Sequence, residues 1–373
     1  MIFHSISKKP VLIAGSGVRL AGAADELLKL AEKTDIPVLT TMNAVDLVQD
    51  NLKLGFIGVY GNRIANMIVR EADLVIAIGA RLGIRQTGNI REYFAPDAVL
   101  VRADIDPYEL SRSVKDGEEK YLIDAGEFIS RLLSESLPQY TGWKSRCFRA
   151  KKLLAGFDRE EGNLCIEAVS ALLPPDPVIA VDVGQNLCWS AQSFTLKGQK
   201  GRMLMGGGYG SMGCALPYAI GASIAGRQGI VYCITGDGGL QMNIQELETV
   251  AREKLPVKIL VINNHVLGKI SEIQAGAYDS RFAQTTRESG YTVPDFEKIA
   301  GAYGIRGAAV RSYRELGRYS EWFLDCEPCL IDIGLSGNSK LIPKVCWNSN
   351  EIFPEINQEV YKEARRILQE ENK

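Results

Sequence analysis

The sequence predicts an α/β protein made of two doubly wound parallel-sheet domains. Short apolar runs rich in β-branched residues alternate with longer segments of helical periodicity along the 373 residues. The predicted strands are apolar on both faces, as in a parallel sheet covered by helices. The alternation is interrupted once, between residues 136 and 160. The chain is long enough for two domains of ordinary size, one on each side of that interruption.

The first alternating series occupies residues 1–135. Its predicted strands lie within 10–17, 36–41, 73–81 and 98–107, and its predicted helices span 23–34 and 63–72. Residues 136–160 are polar and basic with no clean strand, so they are predicted to form a linker.

The second series occupies residues 161–373. Helical segments such as "SMGCALPYAIGASIAG" and "NIQELETVAREKL" alternate with strands such as "PVIAVDVG", "GIVYCITGDG", "VKILVINN" and "PCLIDIG". The series ends on "NQEVYKEARRILQEENK", an amphipathic charged helix predicted to lie on the surface of this second domain.

Composition and charge exclude several classes of function. With 43 basic and 45 acidic residues the formal net charge is -2, which leaves no electrostatic footprint for nucleic acid or a membrane surface. No run approaches the roughly 20 apolar residues that cross a bilayer, and the first residues lack the apolar core of a signal peptide. The eight cysteines are scattered and lie mostly in apolar runs. Buried thiols of this kind are typical of a reducing compartment, so a cytoplasmic location is predicted.

Oxygen-bearing side chains end two consecutive predicted strands. Asp237 stands in "TGDGG", and Asn263 and Asn264 stand in "VINNHVLG". The distance of 27 residues from Asp237 to Asn264 accommodates one helix and the next parallel strand. Because ligands of doubly wound sheets bind at the carboxyl ends of the strands, these side chains are predicted to meet at one edge.

A carboxylate and an amide oxygen suit a hard divalent cation such as Mg²⁺, which commonly bridges to phosphate. Gly236, Gly238 and Gly239 would let backbone N–H groups approach phosphate oxygens. Alone, a Gly-Asp-Gly after a strand is an ordinary turn. The two features together, at crossover spacing, predict a diphosphate held by a metal ion.

These residues carry a family resemblance. "GDGGLQMN", followed after one helix by "NN", resembles the thiamine diphosphate (ThDP) fingerprint, and the surrounding sequence is similar to the acetolactate synthase (acetohydroxyacid synthase) large-subunit family. The similarity covers nearly the whole chain, in segments such as "VDVGQNLCWSAQ", "GGGYGSMGCALPYAIGA", "YTVPDFEKIAGAYGI" and "GVYGNRIANMIVREADLVIAIGAR". It implies a central Rossmann-like (DHS-like) domain followed by a ThDP diphosphate-binding domain.

The resemblance implies a role for each matching residue. Asp237, Asn264 and the carbonyl of Val266 would bind the metal ion. Met212 would support the bent cofactor, which brings its amino group beside the reacting carbon, unless it only fills the core. The Gly210 carbonyl would accept from that amino group. The residues implied to contact the cofactor are Gly184, Gln185, Asn186, Gly210, Ser211, Met212, Gly236, Gly238, Gly239, Asn264, Val266, Leu267 and Gly268.

The resemblance also implies a missing part. Family members carry an N-terminal pyrimidine-binding domain that supplies a catalytic glutamate, and this sequence matches only the middle and diphosphate-binding domains. Glu246 and Glu248 lie in the helix after the Gly-Asp-Gly loop and are interpreted as ordinary solvated or paired helix residues. Two hypotheses follow: a 2-keto acid decarboxylating carboligase, homo-oligomeric and completed by a separately encoded pyrimidine-domain chain, or a non-catalytic, truncated or regulatory ThDP- or nucleotide-binding module.

A second cofactor and the substrate remain open at this stage. "LIAGSG" lacks the G-x-G-x-x-G spacing, which disfavours NAD and a dehydrogenase. The resemblance implies FAD at Gly15, Gly17, Gly79 and Arg81, although Gly83 and Ile84 replace the usual acidic pair. Arg85 matches either a substrate-carboxylate ligand or a surface or FAD-contacting arginine. Lys269 and Ile273 stand where synthases have a methionine and a tryptophan, so the 2-keto acid substrate is not specified.

Overall fold

A computed structural model describes residues 7–48, 51–198, 200–226, 229–346, 349 and 351–370. The chain forms two compact units. The first unit comprises the chain up to Asp158 and again from Ile342 onward, and the second unit is Arg159–Leu341.

The strands are short and mostly buried. In chain order they are β1 Pro10–Ala14, β2 Val38–Thr40, β3 Leu74–Ile78, β4 Val99–Asp104, β5 Glu119–Leu122, β6 Val178–Val181, β7 Arg202–Met205, β8 Val231–Gly236, β9 Val257–Asn263, β10 Arg306–Val310, β11 Cys329–Gly334, β12 Lys344–Val345 and β13 Ile352–Phe353.

Helices connect most of the strands. They are α1 Ser16–Leu20, α2 Ala24–Thr34, α3 Arg63–Glu71, α4 Ile84–Thr87, α5 Pro107–Ser111, α6 Ala125–Ser134, α7 Thr141–Leu154, α8 Glu161–Leu172, α9 Gln185–Ser193, α10 Ala215–Ala225, α11 Asp237–Met242, α12 Leu247–Arg252, α13 Gly268–Ala277, α14 Phe296–Ala302 and α15 Gln358–Gln369. Segments of 3₁₀ helix lie at Met42–Ala44, Arg91–Tyr93, Ile244–Glu246 and Tyr313–Phe323.

The first unit contains a five-stranded sheet of order β2-β1-β3-β4-β5, in which every pairing is parallel. All residues of β1 and β3 are buried, as expected for central strands covered on both faces. The second unit contains a six-stranded parallel sheet of order β10-β11-β9-β8-β6-β7. The two parallel sheets confirm the predicted α/β class.

The boundary between the two units, at Asp158 and Arg159, falls inside the predicted linker, but most of that segment is helical. Residues 141–154 form α7, in which Trp143 and Cys147 are fully buried in the core of the first unit. The Trp143 indole Nε1 donates to the Pro10 carbonyl at 3.0 Å. The basic residues of "KSRCFRAKK" obscured a helical spacing of buried residues that also includes Ala150 and Leu154.

The C-terminal helix belongs to the first unit and not, as predicted, to the second. Helix α15 buries Ala364, Ile367 and Leu368 in the core to which α7 contributes. Arg149 of α7 forms an ion pair with Glu370 at 3.0 Å. The helix is amphipathic, as predicted, but its own sequence does not specify which core its apolar face covers. Residues 371–373 of the predicted helix lie outside the described residues.

Two general sequence predictions can be compared with the fold. All eight cysteines lie among the described residues and none forms a disulfide, and Cys147, Cys165, Cys188, Cys233 and Cys329 are buried. Among the described residues, no helix combines the length and the apolar character needed to cross a bilayer.

Candidate functional site

A cavity of about 780 Å³, its open mouth included, lies at the carboxyl edge of the second sheet. Strand pairing explains its position: Val181 of β6 pairs with Ile234 of β8, and Gly236 of β8 pairs with Ile262 of β9. The chain after each of these three strands therefore leaves the sheet at one edge. The predicted residues that line the cavity are Gly184, Gln185, Asn186, Gly210, Met212, Gly236, Asp237, Gly238, Gly239, Asn264, Val266, Leu267, Gly268 and Lys269.

Two predicted residues do not line this cavity. Ser211 lies between the lining residues Gly210 and Met212 in sequence but is exposed, and Ile273 is an exposed residue of α13. Met212 is 36% exposed and lines the cavity, which argues against its alternative interpretation as a residue of the core. Val183, Trp189, Ile262 and Ile270 complete the lining and were not predicted.

Asp237 combines deep burial with an unpaired oxygen. It is the first residue of α11 and only 3% exposed. Its Oδ1 accepts from the Gly238 N–H at 2.7 Å, whereas its buried Oδ2 has no hydrogen-bond partner. Burial raises the pKa of this carboxyl to about 6, although the Gly238 N–H, the nearby Tyr291 hydroxyl and the His265 backbone oppose the shift. A buried, unpaired carboxylate oxygen is energetically unfavourable until something binds it.

The structure separates the roles of the two asparagines. Because successive side chains of an extended strand point in opposite directions, only one of the pair reaches the cavity. The Asn264 amide donates to Gln185 Oε1 at 2.9 Å, and both residues line the cavity. Asn263 instead donates to Asp332 Oδ1 at 2.9 Å. Asp237 and Asn264, predicted to meet at one sheet edge, line the same cavity.

The donor set fits a hard divalent cation. Asp237, the Asn264 amide and the Val266 carbonyl are all oxygen donors, the type that Mg²⁺ prefers. Within the described residues, no group of three or more His, Cys, Asp and Glu side chains could hold a metal ion. A cation here would therefore depend on one carboxylate supplemented by amide and carbonyl oxygens, and the unpaired Asp237 Oδ2 is the observation that supports it.

Several glycines of the site are required by neighbouring protein atoms. A methyl group at Gly239 would overlap Asp182 Oδ2, and one at Gly268 would overlap Gln185 Oε1. Because Gly239 and Gly268 have no side chain, their backbone can pass close to the Asp182 and Gln185 side chains. The predicted reason, close approach to phosphate, is a separate one and is not needed to account for them.

Asp182 is a site residue that sequence reasoning missed. It is 1% exposed at the end of β6 and accepts from the N–H groups of Gly213 and Cys214 at 3.0 and 3.2 Å and from the Thr235 hydroxyl at 3.0 Å. Burial raises its pKa, and these hydrogen bonds oppose the shift. It therefore ties the segment containing Gly210 and Met212 to the sheet. An acidic residue ending an apolar strand, as in "AVDVG", was the available signal.

Tyr291 was also missed. Its hydroxyl is buried next to Gly238 and has no hydrogen-bond partner. Burial raises its pKa, and the neighbouring Asp237 adds to the effect. Nothing in its local sequence marks it, because the tyrosine stands in a loop more than 50 positions after Asp237.

The residues predicted for FAD lie in the first unit. A methyl group at Gly15 would overlap the Gly79 carbonyl oxygen, and one at Gly17 would lie 2.6 Å from Gly79 Cα. The turns after β1 and β3 thus pack backbone against backbone, which accounts for the glycines without a ligand. The Arg81 side chain is 71% exposed, and its Nε pairs with Glu109 at 2.7 Å. Arg85, predicted for the substrate, is an exposed residue of α4.

Comparison with known proteins bears on the whole chain. The family model described as "Thiamine pyrophosphate enzyme, C-terminal TPP binding domain" matches residues 182–333. The model described as "Thiamine pyrophosphate enzyme, central domain" matches residues 5–132.

Curated relatives support the same assignment. The chain is 36% identical over 348 residues to a probable acetolactate synthase large subunit of Methanocaldococcus jannaschii, covering 88% of this chain and 57% of the relative. It is 35% identical over 362 residues to an acetolactate synthase large subunit of Cyanidium caldarium, covering 91% and 60%. For the Haemophilus influenzae protein of that name the identity is 34% over 327 residues, covering 83% and 56%.

The chain thus spans somewhat more than half the length of these relatives. The central-domain match falls in the first unit, and the TPP-binding match contains β8, β9 and all the described residues that line the cavity. The chain belongs to the thiamine pyrophosphate enzyme family, and the cavity lies in its C-terminal TPP-binding domain.

Proposed function

We propose that this chain binds ThDP through Mg²⁺ in the cavity of the second unit and acts on 2-keto acids as an acetolactate synthase-like carboligase, a transferase or lyase. The observation that carries the proposal is the buried, unpaired Asp237 Oδ2 in a cavity shared with Asn264. The family membership and the named relatives support the cofactor and the class of reaction.

Each lining element has a role in this proposal. Asp237, the Asn264 amide oxygen and the Val266 carbonyl would hold the cation. The first N–H groups of α9, at Gln185 and Asn186, have no partner within the helix and suit the oxygens of a diphosphate. Met212 and Leu267 would contact the apolar part of the cofactor. ThDP, when bound, supplies the electron sink for decarboxylation.

The catalytic glutamate is proposed to come from a pyrimidine-binding domain on a separate chain. No glutamate is among the described residues that line the cavity. Glu246 is half-buried and accepts from the Thr249 hydroxyl at 3.0 Å, and Glu248 is exposed, so neither is proposed as the catalytic glutamate. Ile270 of the lining and three large apolar side chains near lining residues in sequence are exposed, the three being Tyr209, Met242 and Ile273. Such a patch favours coverage by a protein partner, and a homo-oligomer in the cytoplasm is proposed with it.

The substrate contact is proposed for Lys269. It lines the cavity at the start of α13 and pairs with Glu272 at 3.0 Å. A cation at this rim favours an acceptor that carries a carboxylate. Ile273, one turn further along α13, is proposed to restrict the size of that acceptor. A role for Arg85 in binding a substrate carboxylate is a separate proposal that rests on the resemblance alone.

FAD in the first unit is a separate proposal, resting on the resemblance at Gly15, Gly17, Gly79 and Arg81. Absorbance of the purified protein in the flavin bands would support it. A colourless protein that gains no flavin on incubation with FAD would contradict it.

The central test measures binding and turnover separately. ThDP binding is measured by calorimetry with and without Mg²⁺ for the wild type, for Asp237→Asn and for Asp279→Asn, an exposed aspartate of the same unit. We expect Mg²⁺-dependent binding in the wild type and the control and at least about tenfold weaker binding in Asp237→Asn.

Pyruvate decarboxylation is then assayed with and without an added pyrimidine-domain chain of an acetolactate synthase-like enzyme. Turnover only with the partner supports the proposed half-site. Full turnover by the chain alone contradicts the need for a partner. ThDP binding with no turnover in either case favours the non-catalytic module.

A further inference from the structure

We propose that Tyr291 is a positioning residue whose hydroxyl donates to the Asp237 carboxylate and holds it in place when the cation binds. This inference rests on the proposed function, because it assigns Tyr291 a role next to Asp237, the proposed metal ligand. It concerns a side chain that reaches the site from a loop not predicted to belong to it.

Three side chains lie close to the Cα of Gly238, and one of them is Tyr291. From the position that a methyl group on Gly238 would occupy, Leu267 Cδ2 lies at 2.5 Å, the Tyr291 hydroxyl at 3.1 Å and Met212 Cε at 3.5 Å. Gly238 is the residue next to Asp237, so the tyrosine hydroxyl lies over the first turn of α11. Tyr291 and Asp237 also interact electrostatically.

The Asp237 carboxylate and the Tyr291 hydroxyl are complementary as hydrogen-bond acceptor and donor. Asp237 Oδ2 is a buried acceptor without a partner, and the Tyr291 hydroxyl is a buried donor without a partner. Buried polar groups in folded proteins are nearly always hydrogen-bonded, so a facing pair of unpaired groups is uncommon. A hydrogen bond from the hydroxyl to the carboxylate would satisfy both.

The loop that carries Tyr291 is fastened to the site. The Tyr291 N–H donates to the Thr286 carbonyl at 2.9 Å. The Thr285 carbonyl accepts from the Leu267 N–H at 2.9 Å, and the Thr285 hydroxyl donates to Gln274 Oε1 at 2.6 Å. The loop is thus tied to both ends of α13, whose first residues line the cavity, and the hydroxyl is held at a defined position.

Carboxylates that bind metal ions are commonly held by a second hydrogen bond, and losing that partner typically weakens metal binding by about 10- to 100-fold. Tyr291 supplies such a partner for Asp237. The role predicts a larger effect on cation binding than on the stability of the metal-free protein, in which the hydroxyl has no well-formed hydrogen bond.

Tyr291→Phe tests the inference, with Tyr303→Phe as the matched control on the same unit. Removing a buried hydroxyl that has no partner should leave the Tm of the metal-free protein unchanged or slightly raised. With ThDP present, the dissociation constant for Mn²⁺, measured by electron paramagnetic resonance of free Mn²⁺, should rise about tenfold in Tyr291→Phe. Tyr303→Phe should leave that constant unchanged.

Other outcomes decide against the inference. A lowered metal-free Tm or a failure to fold would show that the hydroxyl has a merely structural role, and unchanged Mn²⁺ affinity in a folded Tyr291→Phe would overturn the positioning role. In the Asp237→Asn background, Tyr291→Phe should cause no further loss, and an additive loss would contradict the coupling. A wild type that binds no Mn²⁺ with ThDP would instead overturn the proposed function, and this inference with it.

Discussion

Three aspartates of the second unit differ in hydrogen bonding and in pKa because their surroundings differ. Asp182 is buried and fully hydrogen-bonded, whereas Asp237 is buried with one oxygen unpaired. Asp325 lies near the surface, where hydrogen bonds from Arg306 and Lys258 outweigh its partial burial and lower its pKa to about 2. The same type of side chain thus serves as an anchor, as a buried carboxylate with an unpaired oxygen and as an ion-pair partner.

Asp182 gives a prediction for stability. Asp182→Ala should lower the free energy of unfolding by about 3 kcal/mol, because the Gly213 and Cys214 N–H groups would be left buried and unpaired. Asp182→Asn keeps one acceptor oxygen and should cost clearly less. Urea denaturation at pH 7 measures both. Equal losses for the two variants would contradict the anchoring role.

Asp325 gives a prediction for pH. Lys258 of β9 is fully buried, and its Nζ donates to Asp325 Oδ1 at 2.7 Å. The pKa of Asp325 is lower in the folded protein than its ordinary value of 3.8, so its stabilisation is complete above about pH 4 and is lost as the pH falls through 2. Asp325 is 36% exposed, so solvent screening limits this contribution to about 1 kcal/mol.

Asp325→Asn tests this dependence. The variant should unfold more easily than the wild type at pH 7, and the difference should shrink towards pH 2. Urea denaturation at pH 7, 4 and 2.5 measures it. Combining Asp325→Asn with Lys258→Met removes the buried charge and should restore part of the stability. A constant difference at every pH would show that the ion pair is not its cause.

At the scale of secondary-structure elements, α13 contains two glycines in contrasting surroundings. Gly268, its first residue, faces Gln185, whereas a methyl group at Gly276 would meet nothing within 4 Å. The start of the helix is therefore part of the site, and its last turn is open.

This contrast predicts opposite effects of one substitution. Gly276→Ala should stabilise the protein by about 0.5–1 kcal/mol, because alanine favours the helix. Gly268→Ala should destabilise it by about 1–3 kcal/mol, because the methyl group displaces Gln185 and breaks its hydrogen bond with Asn264. Urea denaturation of both variants measures the two signs. A neutral Gly268→Ala would contradict the tight contact.

At the scale of the whole molecule, chain order and unit membership differ. The chain leaves the first unit at Asp158 and returns to it at Ile342. In the first unit, Arg63 joins parts distant in sequence, because its guanidinium pairs with Asp158 at 2.5 Å and donates to the Ile352 carbonyl at 3.1 Å. The first unit is therefore completed only by the last residues of the chain.

This arrangement predicts where a C-terminal substitution acts. Leu368→Ala empties a fully buried position and should cost about 3 kcal/mol. Hydrogen exchange should accelerate in α7 and in the sheet of the first unit. Lys362→Ala, on the exposed face of α15, is the control and should have little effect. Faster exchange confined to the second unit would contradict the assignment of α15.

Periodicity and spacing alone determined the two parallel sheets, the order of most elements and the convergence of Asp237 and Asn264. The spacing of apolar residues along the chain indicates which residues of a helix or strand are buried. Parallel crossover connections bring the carboxyl ends of successive strands to the same edge of the sheet. The sheets and the convergence of the two side chains can therefore be predicted from local sequence. Only the tertiary structure decided that α7 and α15 pack in the first unit, and that Asp182 and Tyr291 belong to the site. Those facts depend on contacts between residues far apart in the chain, which local sequence patterns do not encode.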